Sequence, residues 1–136
     1  MKVILDTNIF LISLPGKSIY HPIFQSLINN LYHIAVSTEI LLEYDEIISL
    51  KANSFVAKNT MELLNVLPNV IHTDVFYKWN LILEDSDDNK FVDCALASNS
   101  DYLVTNDRHF NVLASIDFPK LNVITADEFL IILKNL

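Results

Sequence analysis

A chain of 136 residues, 51% hydrophobic and with one glycine, can bury a sizeable core, and its composition excludes a disordered, linker-rich or tandem-repeat protein. Seventeen Asp and Glu against nine Lys and Arg give a formal net charge of −8, which argues against broad electrostatic attraction to phosphates and makes any nucleic-acid contact a local one. The lone Cys94 cannot form an internal disulfide, and no secretory signal or bilayer-spanning run is visible, so one cytoplasmic, soluble domain over residues 1–136 is expected.

In chain order, Lys2-Val3-Ile4-Leu5 is a short apolar run stopped by Asp6, the pattern of a buried parallel strand. After Pro22, the residues Ile23, Leu27, Ile28 and Leu31 recur at helical spacing, and His33-Ile34-Ala35-Val36 forms a second strand pattern. Ser37 or Thr38 can cap a helix running through Ile40, Tyr44, Ile47 and Ile48 to about Leu50. A helix over 54–66 leads through Pro68 to a third strand around Val70-Ile71, and a short helix is predicted over 76–83. Glu84-Asp85-Ser86-Asp87-Asp88 reads as an acidic loop opening a helix over 89–99. Tyr102-Leu103-Val104 is a fourth strand, Asn122-Val123-Ile124 a fifth, and 127–133 a closing helix. Strands alternating with helices imply an α/β fold, a three-layer sandwich around a central parallel sheet of four to five strands.

In open parallel sheets ligands bind beyond the carboxyl ends of the strands, and Asp6 and Asp107 both follow strands there. Either one alone reads as a helix cap or turn former; the two together point to a site. On the helix over 37–50, steps of 100° place Glu43 at one border of the apolar face and Asp45 at the other, while Glu39 and Glu46 project away. This geometry does not choose between Glu43 and Asp45. On the next acidic helix, Asp88 aligns with Phe91, Ala95 and Ser98 and faces inward, where it could also serve as an N-cap. Asp93 lies nearly opposite and is expected in solvent or behind the site, and Asp85 and Asp87 are read as loop solvation. Converging carboxylates repel one another unless cations neutralise them, and oxygen ligands select hard ions such as Mg²⁺ or Mn²⁺. That chemistry is metal-assisted phosphodiester hydrolysis. The four His show no metal-ligand spacing with one another or with Cys94, which argues against zinc.

Four stretches, Val3-Ile4-Leu5-Asp6-Thr7-Asn8, Ser37-Thr38-Glu39-Ile40-Leu41-Leu42-Glu43-Tyr44, Asp87-Asp88-Asn89-Lys90-Phe91-Val92-Asp93-Cys94-Ala95 and Asp101-Tyr102-Leu103-Val104-Thr105-Asn106-Asp107, resemble the PIN domain across nearly the whole chain. The Asp-Asp-Asn-Lys-Phe stretch is similar to the branch of toxin components of toxin–antitoxin systems. The resemblance implies a Mg²⁺- or Mn²⁺-dependent endoribonuclease acting on single-stranded RNA, an antitoxin partner, a homodimer, and helices around a parallel sheet. It places the family's four acids on Asp6, Glu43, Asp88 and Asp107, with Asn8, Asp93 and Thr105 as supporting positions.

Two other phosphoryl chemistries fit less well. A haloacid-dehalogenase-type phosphatase needs a second Asp where Asn8 stands, and a response-regulator receiver needs paired acids near the first strand, which offers only Asp6. A noncatalytic module that holds RNA or an antitoxin peptide is the alternative of a different class, and metal-dependent RNA cleavage discriminates it from an enzyme.

Overall fold

The computed structural model describes residues 1–82, 86–117 and 119–136. Its strands are β1 (Lys2–Leu5), β2 (His33–Val36), β3 (Val70–His72), β4 (Tyr102–Val104) and β5 (Val123–Ile124). They form one parallel sheet in the order β3-β2-β1-β4-β5, with Val3 in register with Ile34 on one side and Tyr102 on the other. The central strands read as unbroken apolar runs because both faces of the sheet are covered. Val3, Ile4, Leu5, Ile34, Ala35, Val36, Leu103 and Val104 are accordingly all buried.

The α-helices among the described residues are α1 (Thr7–Ser13), α2 (His21–Ile28), α3 (Thr38–Lys51), α4 (Ser54–Val66), α5 (Asn89–Ser98) and α6 (Ala126–Lys134). Right-handed crossovers in a sheet of this order send α1 to α4 over one face and α5 over the other, which makes three layers. In agreement, α3 packs on α1 and α4, and α5 lies against β1, β2 and β4. Ser37, not Thr38, caps α3: its Oγ accepts from the Ile40 amide at 3.3 Å. Asn53 caps α4 in the same way, and a reciprocal Thr125–Glu128 capping box starts α6 at Ala126, one residue before the predicted start. Asn99, at φ 55°, closes α5 in the left-handed conformation that Asn tolerates better than most residues.

The helix predicted over 76–83 does not form. Residues 73–82 carry no regular structure, and Leu83, Glu84 and Asp85 lie outside the described residues. Two causes are visible. Asn80 takes φ 53°, which a right-handed helix cannot contain, and the segment's backbone is bonded to side chains of α5 instead of to itself. The Trp79 amide donates to Asp93 Oδ1 at 3.0 Å, the Ile82 amide to Asn89 Oδ1 at 2.9 Å, and Asn89 Nδ2 donates back to the Ile82 carbonyl at 2.8 Å. Sequence periodicity also missed α1, only two turns long, and a 3₁₀ segment at Arg108–Ser115. Among the described residues no helix is long and apolar enough to cross a membrane.

Candidate metal centre

Strand order reverses between β1 and β4, since the chain moves outward from β1 to β3 and then returns to the far side of β1. Loops leaving the carboxyl ends of these two strands diverge and open a crevice. Asp6 stands on one lip and Thr105 to Asp107 on the other. The Asp6 amide continues the ladder by donating to the Val104 carbonyl at 3.0 Å, which brings the Asp6 side chain beside Thr105. Thr105 Oγ1 donates to Asp6 Oδ2 at 2.7 Å and accepts from the Asp107 amide at 3.0 Å, so one buried hydroxyl spans the two lips. Asp6 occupies the N-cap position of α1 but makes no side-chain capping bond, so the bland reading of this residue fails. Only 6% of Asp6 is exposed. Burial pushes its carboxyl pKa up; hydrogen bonds from Thr105 and the Thr7 backbone oppose that, and the charges of Asp107 and Glu43 reinforce it.

Glu43 reaches the same crevice from α3. Tyr44, one residue on, is fully buried, stacks on Phe10 with ring centroids 4.6 Å apart, and donates its hydroxyl to the Leu5 carbonyl at 2.5 Å. That bond ties α3 to the end of β1 and sets Glu43 beside the start of α1. There Glu43 Oε2 accepts from Thr7 Oγ1, and Oε1 accepts from Lys90 Nζ at 2.5 Å. Asp45, the alternative that helical phase left open, is exposed, as are Glu39 and Glu46.

Asp88 precedes α5 with an αR backbone, and its side chain makes no capping hydrogen bond. Its side chain is 13% exposed. His109 Nδ1 lies 3.6 Å from Asp88 Oδ2 and 3.4 Å from Asp107 Oδ1. Asp107 acts as a turn former as well, since its Oδ1 accepts from the His109 amide at 2.9 Å. Asp88, Asp107 and His109 therefore offer ligand atoms all within 4.8 Å of one another. His109 stands with two of the four expected acids, a nitrogen donor that the expected all-oxygen set did not include. Searching for His-to-His or His-to-Cys spacing passed over it, whereas its place two residues after Asp107, in the same strand-end turn, was the available signal.

Of the supporting positions, Thr105 is buried and bridges the lips, and Asn8 is exposed on α1. Asp93 is not in solvent. It is 5% exposed, burial raises its pKa, and it holds the Trp79 amide at the wall of a cavity of about 380 Å³ that Glu39, Lys78, Asp87 and Lys90 also line. It contributes nothing to the Asp88–Asp107–His109 group. Asp87 is exposed, as expected, and the expectation for Asp85 falls outside the described residues. Cys94 is fully buried and its thiol is pushed up to about 12, chiefly by burial, which suits packing and not nucleophilic work.

Two carboxylates and an imidazole within 4.8 Å, with a third carboxylate already penalised by burial and like charge, form a donor set that a divalent cation would relieve. A family model described as PIN domain matches residues 2–109. No curated protein matches. Solved structures that share the fold include the following three. A chain of the crystal structure of VapBC2 from Rickettsia felis, bound to a DNA fragment from their promoter, aligns at TM-score 0.64 and 20% identity, covering 92% of this chain and 98% of that one. A chain of VapBC-1 from nontypeable Haemophilus influenzae aligns at 0.57 and 17% identity, covering 93% and 99%. A chain of FitAcB from Neisseria gonorrhoeae aligns at 0.58 and 14% identity, covering 91% and 97%.

Proposed function

We propose that this chain, which belongs to the PIN-domain family, is a Mg²⁺- or Mn²⁺-dependent endoribonuclease of single-stranded RNA and the toxin of a toxin–antitoxin pair. The observation that carries the reading is that buried Asp6 feels the charges of Asp107 and Glu43 while Asp107 stands with Asp88 and His109, their ligand atoms within 4.8 Å of one another. A bound divalent ion supplies there the positive charge that a net charge of −8 otherwise denies to a phosphodiester, together with an activated water. The protein's own part is placement. Thr105 fixes Asp6 and the Asp107 turn against each other, Tyr44 fixes α3 on β1, and the paired bonds between Asn89 and Ile82 fix the start of α5. No side chain here is offered as a covalent nucleophile.

Support for a protein partner comes from the VapBC and FitAcB structures, in each of which one chain has this fold. We take the antitoxin to cover the acidic crevice and the toxin to work in the cytoplasm as a homodimer. Purified protein is expected to cut single-stranded RNA with Mg²⁺ or Mn²⁺ and to stop in EDTA, and expression of wild type is expected to slow growth where Asp6→Asn does not. Cutting that persists in EDTA after contaminating nucleases are excluded would refute the metal requirement. Absence of cutting, with RNA still bound, would favour a noncatalytic binding module.

A further inference from the structure

We propose that the cavity of about 380 Å³ beside the metal centre reads one base of the RNA, a guanine stacked on Phe76 and held along its Watson–Crick edge by Asp93. This rests on RNA being the substrate, as read above, and deepens that reading by naming the part of the RNA that the chain recognises.

Two residues join the cavity to the centre. Lys90 lines it and donates to Glu43 Oε1 at 2.5 Å, and Asp87, also in its wall, immediately precedes Asp88. The volume falls in the range of small-ligand pockets, roughly 300 to 1,000 Å³, which admits a base. Charge decides which part of a nucleotide enters. Glu39, Asp74, Asp87 and Asp93 all line the cavity, whereas of its two lysines Lys90 is engaged with Glu43 and Lys78 lies 3.8 Å from Glu39. Carboxylates repel phosphate and attract N–H donors, so the neutral base goes in and the backbone stays outside.

Sequence-specific recognition of single-stranded RNA splays bases out, stacks them on aromatic side chains and bonds their Watson–Crick edges. Both means are present here. Phe76 forms part of the wall and is 92% exposed, and Tyr77 beside it is 65% exposed. A single exposed Phe is ordinary, but these two rings stand in succession on a segment whose backbone is anchored to α5 through Asp93 and Asn89. That anchorage sets the wall before a base arrives and lowers the cost of binding one.

Asp93 reads the edge. It is 5% exposed, and the Trp79 amide takes one of the roughly four acceptor positions of its carboxylate. Asn89, also in the wall, is committed on both sides of its amide to the Ile82 backbone, so the wall presents chiefly acceptors. Guanine alone among the RNA bases offers two adjacent donors, N1–H and an N2–H, which match the two oxygens of a carboxylate as a guanidinium does. On adenine and cytosine a ring acceptor stands next to the amino group, and on uracil carbonyls flank the single N–H. Each of those sets a lone pair against the carboxylate.

Trp79, the chain's single tryptophan, reports on the pocket because its amide is bonded to Asp93. Guanosine, adenosine, cytidine and uridine 5′-monophosphates are titrated into the purified full chain in EDTA, read by Trp79 emission and by isothermal titration in parallel. The guanine nucleotide is expected to bind about tenfold more tightly than the other three, the scale of one two-point bond to a base. Phe76→Ala is expected to weaken all four by about tenfold through lost stacking. Asp93→Asn keeps an acceptor for the Trp79 amide but sets an N–H against the donors of guanine, and is expected to remove the preference. Equal affinity for the four nucleotides, affinity unchanged in Phe76→Ala, or a preference unchanged in a folded Asp93→Asn would overturn the proposal. Absence of any binding would overturn it too and leave the exposed rings to a protein partner. If Asp93→Asn fails to fold by circular dichroism, the ranking of the four bases and Phe76→Ala, at an exposed position, decide alone. Binding in EDTA needs neither metal nor cutting. A chain that prefers the guanine nucleotide and cuts no RNA would therefore bring down the nuclease reading and leave the pocket standing, and one that cuts RNA but binds all four alike would do the reverse.

Discussion

Asp6→Asn should make the metal-free protein more stable while ending its activity. The carboxylate is 6% exposed, and its pKa is raised above 3.8 first by burial and then by the neighbouring charges of Asp107 and Glu43. A raised pKa means that the folded state holds the proton more tightly than the unfolded chain does. Stability is therefore lost as pH rises through the window from 3.8 to the raised value, and at neutral pH the ionised carboxylate is a net burden on the fold. An amide keeps an oxygen that can accept from Thr105, so the hydrogen bond at 2.7 Å survives while the charge is removed. The gain is on the order of 1 kcal/mol, the usual scale for relieving a strained functional site, or roughly 3 to 5 °C in Tm for a chain of this size. Thermal unfolding in EDTA, measured from pH 4 to 8, should show the variant's advantage opening with rising pH and then levelling. An advantage that does not change with pH, or a variant less stable than wild type at pH 7, would refute this account of Asp6.

Asp88→Asn should abolish turnover with little loss of stability, because the amide keeps the shape of the side chain and can still cap the helix while losing the charge, whereas Asp93→Asn should retain most turnover. Single-turnover rates at saturating Mn²⁺ compare the two, and an inactive Asp93→Asn beside an active Asp88→Asn would reverse the assignment. Asn89→Ala removes both bonds to the buried Ile82 backbone and should cost about 2 to 3 kcal/mol in urea unfolding, with faster amide exchange through residues 79–82. Unchanged exchange there would show that the segment is held by something else.

Much of this architecture is legible in the chain because parallel strands buried on both faces leave unbroken apolar runs, and all five strands were found on that pattern. The three acids that end or begin elements, Asp6, Asp88 and Asp107, are visible for a related reason: a charge that interrupts an apolar run marks where the chain reaches the sheet's rim. Glu43 was not separable from Asp45 by helical phase, because both border the apolar face equally; the tie between Tyr44 and the Leu5 carbonyl decides it, and that is a contact across 39 residues of sequence. The helix expected over 76–83 is absent from the described residues 76–82 because hydrogen bonds of that segment go to Asp93 and Asn89, side chains that follow it in sequence. The angle of Asp93 on α5 alone does not choose between solvent and a place behind the site, since the segment that buries it is not a regular element. His109 has no metal-ligand spacing to another His or to Cys94, since its neighbours Asp88 and Asp107 are acids, and a cation such as Lys90 leaves no periodic mark.

How each acid is accommodated without metal determines what chelation should do. Asp6 is held by Thr105 and partly relieved by its raised pKa, Glu43 is neutralised by Lys90, Asp107 accepts the His109 amide, and Asp88 faces the His109 ring. None of these arrangements needs an ion, and beneath them lies a core built from all five strands and six helices of the described residues. Small zinc domains, by contrast, draw their folding free energy from the metal and unfold when it is removed. Here EDTA should end RNA cleavage and leave far-ultraviolet circular dichroism unchanged at 25 °C. Mn²⁺ should raise Tm only by binding linkage, which at one hundred times the dissociation constant amounts to about 2.7 kcal/mol. Loss of helical signal in EDTA at 25 °C would mean that the acids cannot be housed together without the ion, and that the contacts of Lys90, Thr105 and His109 are too weak to hold the crevice in shape.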